Sequence, residues 1–410
     1  MAIHRLVYIA NARLPTEKAH GYQICTMCEA FAQKGVRLAL MHPHRYQFDP
    51  KLRGQNIFAY YGRQRNFEVR TLPNWDVMPL NNVIPDRLFA PISFIHAVLW
   101  GLYAVLVARK ESADLYYTRD SEIAYWLVRL GLPTVYEAHV VPKRGQRWLL
   151  QRIAHRPALR LVVVLTSFIK EGFMAMGFRR DRILVLSDGV DLALFDNLPS
   201  KDECRRRLNL PLARPIVGYV GRFRSLEREK GVTHLVEALA LLRAVSGAEP
   251  ILVCVGGPMD AVPAYLNLAR HRGIPEDQIR FVDRRPNSEV PYWIRACDVV
   301  TIPWAWTEFS AYFTSPLKLF EYMAASVPIV ATDLPSIREI VSHGETAWLV
   351  SPGDPKALSD GISRLISDSD LRERLARQAR LTADAYTWER RAAAILHGVS
   401  DIENTETTVH

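Results

Sequence analysis

Two stretches in the second half of the chain combine glycines and cations in a pattern suited to a phosphorylated ligand. The strand-like run 216–220 leads into Gly221-Arg222, and a charged loop then ends at Lys230-Gly231. A guanidinium fork and a lysine ammonium placed in this way predict a clamp for a diphosphate. A further glycine pair, at 256–257, follows another strand-like run, where the backbone turns tightly or approaches a ligand closely. An ordinary basic loop is the alternative interpretation of these cations.

A third stretch is typical of a loop that turns into a helix: Ser315-Pro316-Leu317-Lys318-Leu319-Phe320-Glu321. The first amides of a helix lack intrahelical partners and therefore attract phosphate. Glu321 follows about two turns into the predicted helix, where its carboxylate is suited to accept hydrogen bonds from two ribose hydroxyls. Taken alone, the stretch fits a capped helix with a solvated glutamate equally well.

The elements that must position these residues are short apolar runs alternating with helix-period segments, which predicts an α/β protein with parallel sheets. A charged segment near residue 200 separates two series of such runs, so we predict one doubly wound domain in each half. Ligands in such sheets bind beyond the carboxyl ends of the strands. The predicted strands are 6–10, 38–41, 115–118, 134–137, 161–165, 216–220, 251–255, 279–282, 299–302, 329–331 and 347–350.

Composition and charge narrow the class of protein. The 410 residues are 49% hydrophobic and 23% charged, which excludes a mostly disordered chain. Five scattered cysteines and an opening without a secretory signal predict a reduced, cytoplasmic protein. Residues 1–200 hold 26 basic and 16 acidic side chains, whereas 201–410 hold 26 and 27. The surplus behind the net charge of +9 therefore predicts an anionic partner for the first half.

The segment Lys143–Lys170 concentrates that surplus, since no acidic residue occurs between Glu137 and Glu171. Trp148 and neighbouring leucines give part of it the composition of an interfacial helix. Two interpretations stay open: a solvated basic face, or peripheral attachment to the anionic inner face of the cell membrane. Nucleic acid is disfavoured as a partner, because no aromatic-interleaved or helix-turn-helix pattern accompanies the charge.

The stretch 88–108 contains no charged residue and is long enough for a membrane span. Its internal proline, serine, histidine and glycine, and the strand that follows it, favour a helix buried against the sheet instead. We predict a buried helix here.

The order of these motifs resembles the donor-binding domain of glycosyltransferase family 4, in a branch with Ser-Pro-Leu-Lys-x-x-Glu-Tyr-Met-Ala. The resemblance covers nearly the whole second half and more loosely the first. It implies the GT-B fold, in which two Rossmann-like domains face each other across a cleft and a C-terminal helix crosses back to the first. The implied divisions are an acceptor domain at 1–198, a donor domain at 199–385, the crossover helix at 386–400 and a disordered tail at 401–410.

The resemblance also implies a function: a retaining enzyme that moves a sugar from a nucleotide-diphosphate sugar to an acceptor. A lipid-linked or cell-surface glycan precursor is the expected acceptor, and no metal or other cofactor is expected. Arg222 and Lys230 would neutralise the diphosphate, and His139 would position the reacting sugar. The other donor-binding residues that it implies are Gly21, Gly221, Arg285, Thr314, Ser315, Pro316, Leu317 and Glu321.

Two departures from the family pattern leave rival functions open. Phe313 stands where the family usually has the first of two glutamates, and the loop from Arg222 to Lys230 is longer than usual, which would shift the lysine. The rivals are a sugar-nucleotide epimerase or hydrolase of the same fold, and a catalytically degenerate subunit that binds nucleotide or membrane.

Overall fold

The chain folds into two compact units. The computed structural model describes residues 3–225, 228–246 and 249–408. The N-terminal unit comprises Met1–Ser187 together with Trp388–His410, and the C-terminal unit comprises Asp188–Thr387. The division thus falls between Ser187 and Asp188, ahead of the predicted boundary at 198.

The N-terminal unit is built on a parallel sheet of seven strands. Its strands are β1 (Arg5–Ile9), β2 (Arg37–Pro43), β3 (Glu68–Leu72), β4 (Leu115–Thr118), β5 (Thr134–Ala138), β6 (Leu159–Val164) and β7 (Ile183–Val185). Its α-helices are α1 (Ala19–Gln33), α2 (Ile57–Tyr61), α3 (Asp86–Arg109), α4 (Ser121–Arg129), α5 (Arg144–Gln151), α6 (Ser167–Met174) and, from the end of the chain, α16 (Trp388–Thr408). The strand order is β3-β2-β1-β4-β5-β6-β7, so the chain reverses direction across the sheet between β1 and β4.

The C-terminal unit contains a parallel sheet of six strands and a separate two-stranded hairpin. The strands are β8 (Ile216–Val220), β9 (Arg224–Ser225), β10 (Arg228–Glu229), β11 (Ile251–Val255), β12 (Ile279–Val282), β13 (Val299–Ile302), β14 (Ile329–Thr332) and β15 (Trp348–Val350). The helices are α7 (Lys201–Arg207), α8 (Val232–Ser246), α9 (Val262–His271), α10 (Val290–Arg295), α11 (Glu308–Tyr312), α12 (Leu317–Ala324), α13 (Pro335–Arg338), α14 (Pro355–Ser367) and α15 (Ser369–Ala383). The sheet order is β12-β11-β8-β13-β14-β15, with β9 and β10 forming the hairpin.

The prediction of two doubly wound parallel sheets is confirmed, and each predicted apolar run overlaps a strand. Three features were not predicted: β3, β7 and the β9–β10 hairpin. In β3 the sequence EVRTL has no apolar run and only its last residue is buried. The other strands that were missed are only two or three residues long.

Side chains along the central strands of the C-terminal unit alternate between two hydrophobic clusters. Ile216 and Val220 of β8 pack in one cluster, while Val217 and Tyr219 pack in the other. A parallel sheet covered on both faces leaves only the ends of its strands accessible to a ligand. Burial of each large apolar side chain contributes about 1.5–3 kcal/mol, which makes this sheet a stiff platform for the loops at its carboxyl edge.

Helix α16 returns to the N-terminal unit, where it packs against α1 and β6, as the predicted crossover helix requires. It begins at Trp388 and continues to Thr408, so the disordered tail predicted from 401 is wrong as far as Thr408. The segment 401–408 contains no glycine or proline to stop the helix. A contact of 2.8 Å between His397 Nδ1 and Asp401 Oδ2 spans the predicted helix end.

A buried ion pair joins α16 to β5 inside the N-terminal unit. Arg391 Nη1 lies 3.1 Å from Glu137 Oε2, and each side chain is only 3% exposed. Arg391 Nε also donates a hydrogen bond to the carbonyl of Ser187, 3.0 Å away. Removing one member of such a pair leaves a charge buried without its partner.

We therefore expect Arg391→Ala to destabilise the N-terminal unit by about 3–5 kcal/mol. The neighbouring Arg390 is exposed, so Arg390→Ala is a matched control with an expected change within about 0.5 kcal/mol. Urea unfolding followed by circular dichroism measures both. Equal unfolding midpoints for the two variants would show that Arg391 does not anchor the helix.

Candidate functional site

Two glycines at the carboxyl edge of the C-terminal sheet allow three chain segments to meet. Gly221 has φ 147°, and a Cβ there would lie 2.6 Å from Lys318 Nζ. Gly256 has φ 141°, and a Cβ there would lie 2.3 Å from the carbonyl oxygen of Gly221. Any other residue at either position would be strained and would displace backbone or the lysine. The sequence motif Gly-Arg therefore makes room for Lys318, a residue that the sequence analysis did not single out.

Lys318, the second residue of α12, lies over aromatic rings. Its Nζ is 3.7 Å from the ring centroid of Tyr219 and 5.8 Å from that of Trp304, distances at which a cation is attracted to the face of a ring. Burial and the charge of Lys230 together lower the pKa of its ammonium to about 7, against the opposing effect of Glu321. An anion placed beside Lys318 would reverse this shift.

Lys230 reaches the same tryptophan. Its Nζ lies 4.9 Å from the ring centroid of Trp304 and 5.8 Å from that of Phe309. The longer loop before it folds into the β9–β10 hairpin, although Glu227 lies outside the described residues. The backbone N–H of Lys230 donates to the carbonyl of Phe223, 2.9 Å away, which fixes the lysine at the base of the hairpin. The structure therefore brings the predicted Lys230 and the unpredicted Lys318 to one indole.

The start of α8, which follows Lys230, is already capped. The carboxylate of Glu229 accepts hydrogen bonds from the backbone N–H groups of Gly231 at 2.6 Å, Val232 at 2.5 Å and Thr233 at 3.2 Å. These amides are thus occupied by a carboxylate of the chain itself. A phosphate at this position would therefore bind the cations beside the helix rather than the helix amides.

Glu321 lies on the same face of α12 as Lys318, three residues further along. Burial raises the pKa of its carboxyl to about 7, and Lys318 opposes that rise. The helix begins at Leu317, so Glu321 lies about one turn into it rather than the two predicted. Pro316 occupies the N-cap position without a side-chain cap, and it has no N–H, so the first amides there are those of Leu317 and Lys318.

The hydroxyls of the two residues before Pro316 have structural partners. Thr314 Oγ1 donates to the carbonyl of Ser310 at 3.0 Å. Ser315 Oγ accepts from the backbone N–H of Asp188 at 2.8 Å. These bonds fix the loop that precedes α12. Phe313, at the end of α11, has its ring 6.4 Å from that of Tyr312.

The two predicted arginines differ in their positions. Arg222 directly follows Gly221, is partly buried and donates from Nε to the carbonyl of Arg224 at 3.4 Å. Arg285 is exposed in the loop after β12.

His139, in the N-terminal unit, is held by the buried carboxylate of Glu137. Its Nε2 lies 2.5 Å from Glu137 Oε1, and the same carboxylate is hydrogen-bonded to Tyr117 and paired with Arg391. Burial and Arg119 lower the pKa of His139 to about 4, so the imidazole is neutral at pH 7. Burial opposes ionisation of Glu137, but Arg391 and the histidine hold its pKa well below the usual value. The sequence analysis identified His139 but not the carboxylate that orients it.

Gly21 lies in the first turn of α1, where packing excludes a side chain. A Cβ would lie 2.0 Å from the hydroxyl oxygen of Tyr61, which donates to the carbonyl of Thr16 at 2.9 Å. Gly21, predicted as a donor-binding residue, therefore allows the close approach of α1 to Tyr61.

Two adjoining cavities of about 240 and 370 Å³ open beside the carboxyl ends of β1 and β2. Arg13 and Arg45 line both, and Lys18 and His20 line the smaller one. Arg45 Nη2 donates to Asn11 Oδ1 at 2.6 Å. The sequence analysis missed the two arginines because they are isolated along the chain and meet only in the fold.

In the protein without ligand, Lys318 should lower the free energy of unfolding by an amount that depends on pH. Its folded pKa of about 7 lies below that of an unfolded lysine, so the unfolded chain holds the additional proton between pH 7 and about 10. Wild type therefore gains stability over that range, while Lys318→Met lacks this gain. We expect the melting temperature of the variant to exceed that of wild type by the largest amount at pH 7. The difference should shrink towards pH 10.

Lys356→Met, at an exposed lysine of α14, is the control and should show no such trend. Thermal unfolding at several pH values measures all three proteins. If the melting temperatures of wild type and Lys318→Met differ by the same amount at every pH, the lowered pKa of Lys318 is contradicted.

Residues 214–368 match a family model described as glycosyl transferases group 1. Over 239 residues the chain is 32% identical to a D-inositol 3-phosphate glycosyltransferase from Corynebacterium glutamicum (strain R), a match that covers 56% of this chain and 55% of that protein. The chain thus spans about half the length of this relative.

Two solved structures share the whole fold. A glycosyltransferase from Rickettsia africae ESF-5 superposes with a TM-score of 0.71 at 16% identity, covering 98% of this chain and 99% of that one. Anabaena HepE, solved with UDP and glucose, superposes with a TM-score of 0.69 at 20% identity, covering 97% and 100%. The chain therefore has the GT-B fold, and its segment 214–368 is similar to the glycosyl transferases of group 1.

Proposed function

We propose that the chain is a retaining glycosyltransferase that moves a sugar from a nucleotide-diphosphate sugar to an acceptor. The observation that carries the proposal is the pair of lysines, Lys230 and Lys318, gathered at Trp304 on the carboxyl edge of the C-terminal sheet. Glu321 lies one turn of α12 from Lys318, a suitable distance for a carboxylate that holds a ribose. The match to glycosyl transferases group 1 and the UDP bound to HepE support the same reading.

These cations contribute most to catalysis when the bond between the sugar's anomeric carbon and the β-phosphate oxygen breaks. Negative charge then grows on the β-phosphate, and preorganised cations stabilise it without reorganisation. We assign this role to Lys230, Lys318 and Arg222, with the first amides of α12 as further donors. No metal ion is part of this assignment. Glu321 is assigned to the ribose hydroxyls.

The acceptor is assigned to the N-terminal unit. Arg13 and Arg45 line both of its cavities, and Lys18 lines the smaller one, where Asp76 lies 3.4 Å from Arg45. The basic side chains outnumber this carboxylate, which suits a phosphate group. The relatives are named for D-inositol 3-phosphate, a phosphorylated acceptor. We propose a phosphate-bearing acceptor, with lipid-linked and other cell-surface glycan precursors as the expected class. His139, neutral and oriented by Glu137, is assigned to position the reacting sugar.

A panel of labelled nucleotide sugars, offered with phosphorylated and lipid-linked acceptors, tests the activity. We expect transfer of the label to an acceptor, with retained anomeric configuration and no effect of a chelator. Interconversion of the donor would indicate an epimerase, and release of free sugar a hydrolase. If the purified chain shows no turnover and binds no nucleotide, the proposed function is contradicted.

In the same assay, Lys230→Ala should lower kcat by at least about 100-fold, because it removes a cation from the developing charge. The control is Lys356→Ala, at an exposed lysine of the same unit, and it should retain wild-type turnover. Circular dichroism establishes that both variants are folded. A folded Lys230→Ala enzyme with full activity would remove this lysine from the mechanism.

A further inference from the structure

Exposed apolar side chains concentrate in one region of the N-terminal unit. Among the described residues, ten of the twenty large hydrophobic side chains that are exposed lie between Trp75 and Leu106. Trp75 is 91% exposed and Val83 is 79% exposed. Exposed apolar side chains concentrated in this way mark an interaction site rather than ordinary scatter.

Helix α3 forms most of this surface because it is apolar on two opposite faces. Its inner face, with Trp100, Ala104, Val105 and Ala108, packs in a core cluster with β1 and β4. Its outer face is a stripe of exposed side chains at helical spacing that runs for about 27 Å. The stripe consists of Leu88, Ile92, Ile95, Leu99, Tyr103 and Leu106. The buried helix predicted from the sequence is thus buried on one face only.

The composition of α3 also meets the criteria for a membrane span, but its connections do not. The helix joins β3 to β4, and both strands belong to the same sheet. A spanning helix would place these two strands on opposite sides of a bilayer, and its inner face would have to leave the core. The outer stripe can therefore meet lipid only with the helix lying along the surface.

Helix α5 adds positive charge beside α3. The Cβ position of Gly145, in the first turn of α5, is 2.7 Å from the ring of Phe94 in α3, so the two helices touch. Trp148 of α5 is 51% exposed, and the guanidinium of Arg152 lies 3.9 Å from its ring centroid. Arg144 and Arg147 are exposed on the same helix.

Further cations flank the stripe at its two ends. Arg87 precedes it, and Arg109 with Lys110 follows it, all three exposed. Asp86 is the only acidic residue of α3, and α5 has none. An apolar stripe between basic ends, with an arginine-stacked tryptophan beside it, complements the anionic headgroups and acyl boundary of a phospholipid surface.

We propose that α3 and α5 together dock the N-terminal unit on the surface of a bilayer that contains anionic phospholipid. The stripe from Leu88 to Leu106 inserts into the acyl boundary, and the arginines of α5 meet the lipid phosphates. This surface belongs to the N-terminal unit and the cation cluster to the C-terminal unit, and occupation of the surface needs no donor sugar. The docking proposal can therefore fail or succeed independently of the proposed transfer activity.

Co-sedimentation of the full chain with vesicles tests the proposal. Wild type should bind vesicles of phosphatidylcholine with phosphatidylglycerol at low salt, bind phosphatidylcholine alone more weakly, and dissociate as salt rises. Ile95→Asp/Leu99→Asp should weaken binding by about tenfold or more, since it removes two inserted side chains. The milder Leu99→Ser should weaken it measurably in a chain that folds like wild type.

Matched controls come from α15 in the C-terminal unit. Leu381 is 58% exposed, close to the 63% of Leu99, and Leu381→Asp should leave vesicle binding unchanged. Arg147→Glu/Arg152→Glu should abolish the preference for phosphatidylglycerol, whereas Arg374→Glu/Arg377→Glu, at exposed arginines of α15, should keep it.

Failure of wild type to sediment would overturn the proposal, as would equal binding by the α3 variants and their controls. A dimer in light scattering that Ile95→Asp/Leu99→Asp converts to a monomer would also overturn it, because the stripe would then be an interface between two copies.

Discussion

The cation cluster of the C-terminal unit depends on one electrostatic constraint: two lysine ammonium groups share one tryptophan. Lys230 and Lys318 are far apart in sequence, yet both approach Trp304. Each raises the cost of charging the other, and burial adds to that cost, as the lowered pKa of Lys318 shows. Aromatic faces offset part of the repulsion. An anion with more than one charge would offset the rest, which is why the cluster is suited to a diphosphate.

The strands that carry this cluster could be predicted from the sequence, but the cluster itself could not. Buried parallel strands such as β8 and β11 appear as unbroken apolar runs, so their bounds follow from local pattern. The role of Lys318 depends on Gly221, far away in sequence, whose missing Cβ makes room for the ammonium. Likewise, nothing in the local sequence shows that Glu229 caps α8. Such contacts between distant segments appear only in the folded chain.

The N-terminal unit illustrates the same limit. His139 could be identified from a motif, whereas its orientation depends on Glu137, and Glu137 stays ionised because Arg391 arrives from the last helix. For α3, composition predicted a helix and its length, but composition does not separate a buried helix from one with an apolar outer face. Packing decides that question, and it leaves one face of α3 exposed beside the basic α5.

The central claim is that Lys230 and Lys318 form a diphosphate site. Calorimetric titration of nucleoside diphosphates tests it most directly. UDP, GDP, ADP and dTDP would be titrated at neutral pH in buffers of different ionisation enthalpy. A bound diphosphate raises the pKa of Lys318 from about 7, so at least one nucleotide should bind with uptake of protons. Lys318→Met should bind it about tenfold more weakly or worse and without that uptake. Equal affinity and equal proton uptake by the variant, or no binding by wild type, would contradict the account.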